Sequence, residues 1–244
     1  MAAVYGYTLP NSLLMPTFRH LLVLGLLILC PLAYAARPMI TDDARIVDSK
    51  ACQAETWVKD NRGSQEFWAL PSCNFTGNLE ITAGGARTHD ATGLRTTDLL
   101  LQGKTLFRTL EPNSWAWGLA FGTVSHPDVS RKMMGDLYSY VPVTFSFNDD
   151  RVLLHTNIGW SREKATNKHA MTWGVGSEIE MTPRTWLIGE TYGENQGRPY
   201  FQLGVRHWIV QNRIQLDATY GNRTGGSESW FSIGLRFLSL PFLP

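Results

Sequence analysis

The second half of the chain repeats a short pattern in which apolar residues alternate with small or polar ones. Between Ser114 and Val124, the large residues Trp115, Trp117 and Phe121 alternate with alanine and glycine. Successive side chains point to opposite faces of a β-strand, so this segment has one aromatic face and one slim face. Repeated around a closed sheet, the pattern is typical of a membrane barrel with lipid outside and a filled or watery lumen inside.

Twelve such segments can be marked between Cys52 and Phe237. They predict an all-β fold: a transmembrane, antiparallel, up-and-down barrel of about 12 strands, of the outer-membrane type, over residues 51–237. Short turns such as Asn148–Asp150 alternate with longer polar loops such as Ser125–Gly135. If the N-terminus is periplasmic, these short turns fall on the periplasmic side, as they do in bacterial outer-membrane barrels.

The N-terminus has the pattern of an export signal. Arg19 and His20 precede an apolar run over 21–29, and Ala33-Tyr34-Ala35 places small residues where a signal peptidase reads them. The run is too short to span a bilayer as a helix. We therefore expect residues 1–35 to be a cleaved signal peptide and the protein to reach the outer membrane.

The extreme N-terminus before this run has no positive charge, unlike the start of a signal peptide. Met15 is therefore the expected true start. After cleavage, residues 36–50 are predicted to be a periplasmic N-terminal segment or a plug, and residues 238–244 a C-terminal tail.

Two cysteines remain in the mature chain, and they flank the turn-like segment Asp60–Gly63. A hairpin folded there brings Cys52 roughly opposite Cys73. In an oxidising compartment such a pair favours a disulfide. The alternative is two buried free thiols.

The charge and the aromatic content limit the classes of partner that this chain can have. A formal net charge of +1 gives no electrostatic case for nucleic acid. The nine tryptophans are expected mostly in girdles at the membrane interfaces, with stacking on an aromatic solute as the alternative. The expected partners are outer-membrane lipid, the barrel-assembly machinery, which recognises an aromatic-ended last strand such as the one closing at Phe237, and a small solute; no cofactor or metal site is expected.

One face of the predicted strands is almost free of charge, and the opposite face carries the candidate lumen residues. Those that could set selectivity are Glu80, Asp98, Lys104, Arg108, Glu178, Glu180, Arg206, Arg213, Asp217 and Arg236. Charge on the lipid face costs roughly 2–4 kcal/mol for Arg or Lys at mid-depth, so the division is physically expected. The inward charges can line a selective pore or pair into a structural network. In the ninth strand Trp186, Ile188 and Tyr192 share a face with Glu190, so either the register changes there or Glu190 lies at the rim.

The mature N-terminus carries one sharp motif, Arg37-Pro38 followed by Thr41-Asp42-Asp43-Ala44. This motif ahead of a barrel resembles the MetA-pathway of phenol degradation family of bacterial outer-membrane proteins. The resemblance implies an envelope protein that provides a route for hydrophobic or aromatic compounds, and it implies no phenol chemistry by this chain. Family members usually have a glycine and an acidic first strand next; this chain has Cys52-Gln53-Ala54-Glu55.

The same N-terminal residues are the candidate plug or gate: Arg37, Thr41, Asp42 and Asp43. The segment could cap a short helix or turn, it could enter the barrel mouth and meet lumen arginines, or it could be a disordered periplasmic lead-in.

Three functions follow from these features. The first is a channel or transporter for small hydrophobic or aromatic molecules. The second is a sealed structural or adhesive barrel that acts through outer loops such as Ser125–Gly135. The third is a barrel hydrolase, for which His207 is on the outward face but has no evident serine partner; because no nucleophile or metal-ligand motif is present, we expect no enzyme.

Overall fold

The computed structural model describes residues 39–130, 134–226 and 228–244. The predicted signal peptide, the expected start at Met15 and the plug candidate Arg37 lie outside the described residues. No helix within these three ranges is long and apolar enough to cross a bilayer.

In the described residues, twelve strands follow one another along the chain. They are β1 (Cys52–Asn61), β2 (Ser64–Asn74), β3 (Glu80–Asp90), β4 (Arg95–Arg108), β5 (Trp115–Ser125), β6 (Asp136–Phe147), β7 (Val152–Arg162), β8 (His169–Thr182), β9 (Thr185–Glu194), β10 (Tyr200–Val210), β11 (Ile214–Arg223) and β12 (Ser229–Leu238). The predicted fold class and strand count are confirmed, because alternation with a period of two marks each strand directly in the sequence.

Each strand pairs antiparallel with its neighbours, and β1 pairs with β12 to close the barrel. We call the end where β1 begins and β12 finishes the terminal end, and the opposite one the loop end. At the terminal end Cys52 lies directly across from Cys73, and the two form the predicted disulfide. The tail adds to this seam, since the amides of Ser239 and Phe242 donate to the carbonyls of Cys52 and Lys50.

The predicted alternation of turn and loop lengths is present from β5 onward and absent before it. At the loop end, β1 and β2 are joined only by Arg62-Gly63, whereas the β4–β5 connection at the terminal end runs over 109–114. The first connection can be tight because Gly63 has a φ of 90°, a left-handed conformation that glycine adopts without steric cost.

The outer wall is apolar, with exposed side chains such as Leu101, Phe121, Ile158, Leu203 and Phe231. The nine tryptophans divide between the two faces of the wall. Those on the outer wall are Trp115, Trp117, Trp160 and Trp173, and those lining the interior are Trp57, Trp68, Trp186, Trp208 and Trp230.

Strand β9 turns its apolar face inward. Ile188 is buried, Glu190 is buried beside it, and Leu187 is exposed on the outer wall. Neither expected explanation for Glu190 holds: it lies at neither rim, and the whole face that it shares with Trp186 lines the lumen.

Candidate functional site

The N-terminal segment, Met39–Asp48, lies inside the barrel and is held by its backbone. The amide of Asp42 donates to Oδ1 of Asn157 at 2.7 Å, and Nδ2 of Asn157 donates to the carbonyl of Asp42 at 2.8 Å. One carboxylate, Glu190, accepts from the amides of both Ile40 (2.7 Å) and Thr41 (2.6 Å). Wall side chains therefore satisfy backbone groups that a strand partner would satisfy in a sheet.

The segment is held in the same way further towards the terminal end. The amide of Ala44 donates to Oγ1 of Thr144 at 2.7 Å. The amide of Val47 donates to Glu80 at 2.8 Å, and Asn74 donates to the carbonyl of Val47 at 2.9 Å. The described part of the segment is thus docked along the lumen rather than leading in from outside.

Two glycines of β8 make room for the segment. A Cβ atom at Gly174 would lie 2.5 Å from Oγ1 of Thr41, and one at Gly176 would lie 2.8 Å from Cε of Met39. Both distances are shorter than any normal non-bonded contact. Gly174 is therefore required by the docked segment, whereas at Gly176 the flexible end of Met39 could move aside.

Ion pairs join the segment to the wall. Nζ of Lys104 lies 2.7 Å from Asp42, and both side chains are 4% exposed. Arg45 lies 2.8 Å from Asp43 and 3.2 Å from Glu178. Two of the plug candidates, Asp42 and Asp43, therefore lie 2.7 and 3.6 Å from the lumen lysine Lys104, whereas the expected partners were lumen arginines.

A wall network continues from Glu178. This carboxylate accepts from Nη1 of Arg206 at 2.7 Å and lies 3.1 Å from Nε2 of His155. Arg206 in turn binds the buried Asp217 through Nε and Nη2. On the next two strands round the wall, β12 and β1, Nε of Arg236 lies 2.8 Å from Oε1 of Gln53. The central lumen is thus crossed by charge-assisted hydrogen bonds, which are stronger than neutral ones.

Four predicted lumen residues lie outside this central network. Arg108 is exposed because a bulge after Leu106 shifts the register, so that Arg108 pairs with the outward-facing Trp117 and covers the ring of Trp115. Its prediction as a lumen residue is wrong. Arg213 donates to the carbonyl of Ser239 at the terminal rim.

The other two, Asp98 and Glu180, face inward but towards the two ends of the barrel. Asp98 contacts His126 at the loop end, and Glu180 lies 3.6 Å from Arg151 in the terminal half.

Sequence reasoning missed several central residues. Asn157 and His155 are on a face that was predicted to point inward, and Glu190 is on the ambiguous face of β9. Arg45 and Glu55 carry no sequence signal beyond their charge, because only the docked segment brings Arg45 to Glu178.

The segment and the network divide the lumen. Among the described residues, a loop-end cavity of about 520 Å³ and a terminal-end cavity of about 860 Å³ are separated by a central space of about 30 Å³. The central space is lined by Thr41, Asp42, Asp43 and Arg45 and by the charged wall around them. That space is large enough to hold ordered water.

The loop-end cavity is lined largely by aromatic rings. Trp57 and Trp68, directly opposite each other on β1 and β2, stack with ring centroids 5.2 Å apart. Tyr138 and Tyr140 stack at 6.2 Å on the facing wall. With Trp230 these rings form an apolar chamber above the docked segment.

At the loop-end mouth a histidine bridges two strands. Nδ1 of His126 lies 2.6 Å from Asp98 on β4, and Nε2 lies 3.2 Å from Asp136 on β6. Partial burial lowers the pKa of His126, but the two hydrogen-bonded carboxylates raise it more, so the pKa lies above its ordinary value.

His207 is the outward-facing histidine that the hydrolase hypothesis needs. His207 contacts a threonine, with its Nδ1 atom 2.9 Å from Oγ1 of Thr185 at the terminal end. Within the described ranges, no group of histidine, cysteine and carboxylate residues could hold a metal ion.

The closed twelve-stranded sheet and the lumen that it surrounds are those of a porin-like barrel. The chain belongs to the family described as "Uncharacterised conserved protein UCP029691", whose model matches residues 24–237. This description differs from that of the phenol-degradation family that the N-terminal motif resembles.

Solved porins share the fold at very low sequence identity. KdgM porin superposes with a TM-score of 0.61 at 7% identity, over 77% of this chain and 99% of that one. NanC porin gives 0.59 at 9% identity, over 78% and 100%. A second KdgM structure, described as a complex with disordered oligogalacturonate, gives 0.59 at 8% identity, over 77% and 99%. No curated protein sequence matches the chain significantly.

Proposed function

We propose that this protein is an outer-membrane channel for small hydrophobic or aromatic molecules, closed at rest by its own N-terminal segment. We place the terminal end of the barrel in the periplasm and the loop end at the cell exterior, as in bacterial outer-membrane barrels. The observation that carries the proposal is the aromatic chamber around Trp57 and Trp68, which opens at the loop end and is floored by the docked residues Ile40 and Thr41. The porin-like fold and the resemblance of the Arg37–Ala44 motif support it.

The segment is suited to act as a gate because side chains hold it, not a sheet ladder. Its amides bind Glu190, Asn157, Thr144 and Glu80. Such hydrogen bonds contribute about 1 kcal/mol net with neutral acceptors and about 1.5–3 kcal/mol with carboxylates. None of them, and neither of the ion pairs through Lys104 and Glu178, is part of the strand pairing, so the segment can leave while the closed barrel stays folded.

The test is single-channel conductance in planar bilayers, with the mature protein and a variant that lacks residues 36–48. Keeping Lys50 preserves the carbonyl that accepts from the tail. We expect small or rare steps from the intact protein and larger, frequent steps from the variant. A variant that lacks residues 128–134 of the Ser125–Gly135 loop serves as the comparison deletion and should leave the steps unchanged.

A sealed barrel that acts through its loops is the second candidate, and one observation favours it. The central charges pair so completely that about 30 Å³ remains between them. Silence from both the intact protein and the variant lacking 36–48, with circular dichroism showing a folded barrel, would contradict the channel and support this candidate.

A further inference from the structure

The loop-end chamber presents ring faces more than polar atoms. Nε1 of Trp68 donates to Glu66 at 2.9 Å, and Nε1 of Trp230 donates to Gln202 at 3.2 Å. The hydroxyl of Tyr138 donates to Gln102 at 2.9 Å. Because wall side chains engage these donors, a solute in the chamber meets the flat, electron-rich faces of the rings.

Such faces attract cations, and the chamber already shows this. Nζ of Lys59 lies 4.8 Å from the centroid of Trp230, and at the mouth the guanidinium of Arg223 lies 5.3 Å from the centroid of Tyr200. Aromatic faces bind ammonium groups in this way, best when water is excluded.

The wall behind the segment has an excess of carboxylates. The wall charges that line the central space, other than His155, are balanced: Glu55, Glu80 and Glu178 against Lys104, Arg206 and Arg236. The excess comes from two further buried carboxylates, Glu190, which binds the segment, and Asp217, which binds Arg206. Two of the carboxylates, Glu190 and Glu80, now accept amide hydrogens of the segment. When the segment leaves, those donors leave with it, and the opened passage is anionic. Carboxylate rings favour cations in pores.

We propose, on the basis of the channel function above, that the solute is an organic cation: a small apolar body that carries an ammonium group. The aromatic chamber binds it first, and Glu190 and Glu80 then replace their lost amide donors with its charge. The proposed solute is a cation, whereas the KdgM porin of similar fold is described in complex with oligogalacturonate, which is an anion.

The first test is calorimetric binding to the intact protein in detergent, with benzyltrimethylammonium as the probe. Benzoate and benzyl alcohol, which share the ring, are the anionic and neutral comparators. We expect the cation to bind most tightly and Trp57→Leu to weaken it about fivefold, since roughly one cation–π contact is lost. Trp57→Phe should retain most of the affinity, and Trp115→Leu on the outer wall should retain all of it. Equal or tighter binding of benzoate or benzyl alcohol, no binding of the cation, or no effect of Trp57→Leu would overturn the assignment.

The second test is the reversal potential of the variant lacking residues 36–48 in a KCl gradient. We expect several-fold cation selectivity that falls when Glu190→Gln and Glu80→Gln are combined and persists with Glu111→Gln, an exposed site in the β4–β5 connection. Anion-selective steps would uphold the channel and overturn the cation. Absence of steps would contradict the channel, while the binding test on the intact protein would still decide the solute.

Discussion

At the scale of the residue, the lumen recognises a backbone more than a set of side chains. Asn157 donates to and accepts from one peptide unit at Asp42, and Glu190 accepts from two consecutive amides. This geometry fixes the position of the segment whatever its side chains are. Specificity is added by Lys104, whose buried ammonium pairs with Asp42.

Asn157→Ala is expected to loosen the segment, because it leaves both the amide and the carbonyl of Asp42 without this partner. An unmet buried polar group costs about 1–3 kcal/mol. Hydrogen exchange of the amides of residues 41–47, followed by mass spectrometry, should be faster in the variant. Thr156→Ala, the neighbouring residue on the other face of β7, is the control. Unchanged exchange in Asn157→Ala would show that the pair does not hold the segment.

His126 should make the loop-end mouth sensitive to pH. Its pKa is raised above the ordinary value of roughly 6.5, so the protonated ring stabilises the contact fully below the ordinary pKa. That stabilisation is lost as the pH rises through the raised pKa. An NMR titration of the ring should show the raised value, and Asp98→Asn should lower it. His89→Gln, at the end of β3, should leave the titration of His126 unchanged; an ordinary pKa for His126 would contradict the contact.

At the scale of the element, two strands place side chains on a different face from the one that their local sequence pattern predicts. In β4 a bulge between Leu106 and Arg108 reverses the face of Arg108, which a strict period of two cannot anticipate. In β9 the apolar face points inward: Ile188 and Trp186 lie in the lumen and not on the lipid side. The period of two holds through β9, where only the direction of the apolar face differs from the expectation, whereas in β4 the bulge interrupts the period itself.

The hairpin of β1 and β2 is expected to depend on its disulfide. The bond joins residues separated by 21 positions in the chain, and closing such a loop stabilises a fold by about 2–4 kcal/mol. The double variant Cys52→Ser, Cys73→Ser should unfold at lower urea concentration than the oxidised protein. Reductant should shift the oxidised protein towards the variant and leave the variant unmoved. Equal urea midpoints for the oxidised protein, the reduced protein and the double variant would mean that the disulfide adds no stability.

At the scale of the whole molecule, the pairing of β1 with β12 closes the sheet, and ion pairs inside the barrel block its lumen. Glu178 on β8, Arg206 on β10 and Asp217 on β11 form one chain of contacts, and Arg45 joins it to the segment. The wall and the N-terminal segment therefore share one electrostatic network. Removing a charge from the wall should weaken the binding of the segment, and removing the segment should change the ion pairs of the wall.

Asp217→Ala should destabilise the whole barrel, because it leaves the buried guanidinium of Arg206 short of a partner. Breaking a buried pair from one side costs about 3–5 kcal/mol, whereas replacing both partners by apolar residues is far less costly. We therefore expect a lower urea midpoint for Asp217→Ala than for the combined Arg206→Met, Asp217→Leu, Glu178→Gln, in which Glu178, the other partner of Arg206, is also made neutral. Glu111→Ala, at an exposed site in the β4–β5 connection, serves as the surface control. A combined variant as unstable as the single one would argue against this pairing.

The sequence by itself determined the twelve strands, the closed sheet and the cysteine pair, because each depends on residues close together in the chain or on a period of two. It also predicted that Asp42 and Asp43 could meet lumen arginines, and the structure has a lysine there. Only the tertiary structure decided that Asn157 and Glu190 dock the segment, that five tryptophans line the interior, and that Arg108 does not. Those outcomes depend on which residues of distant strands face one another across a lumen, and on where a bulge falls. Local alternation carries neither.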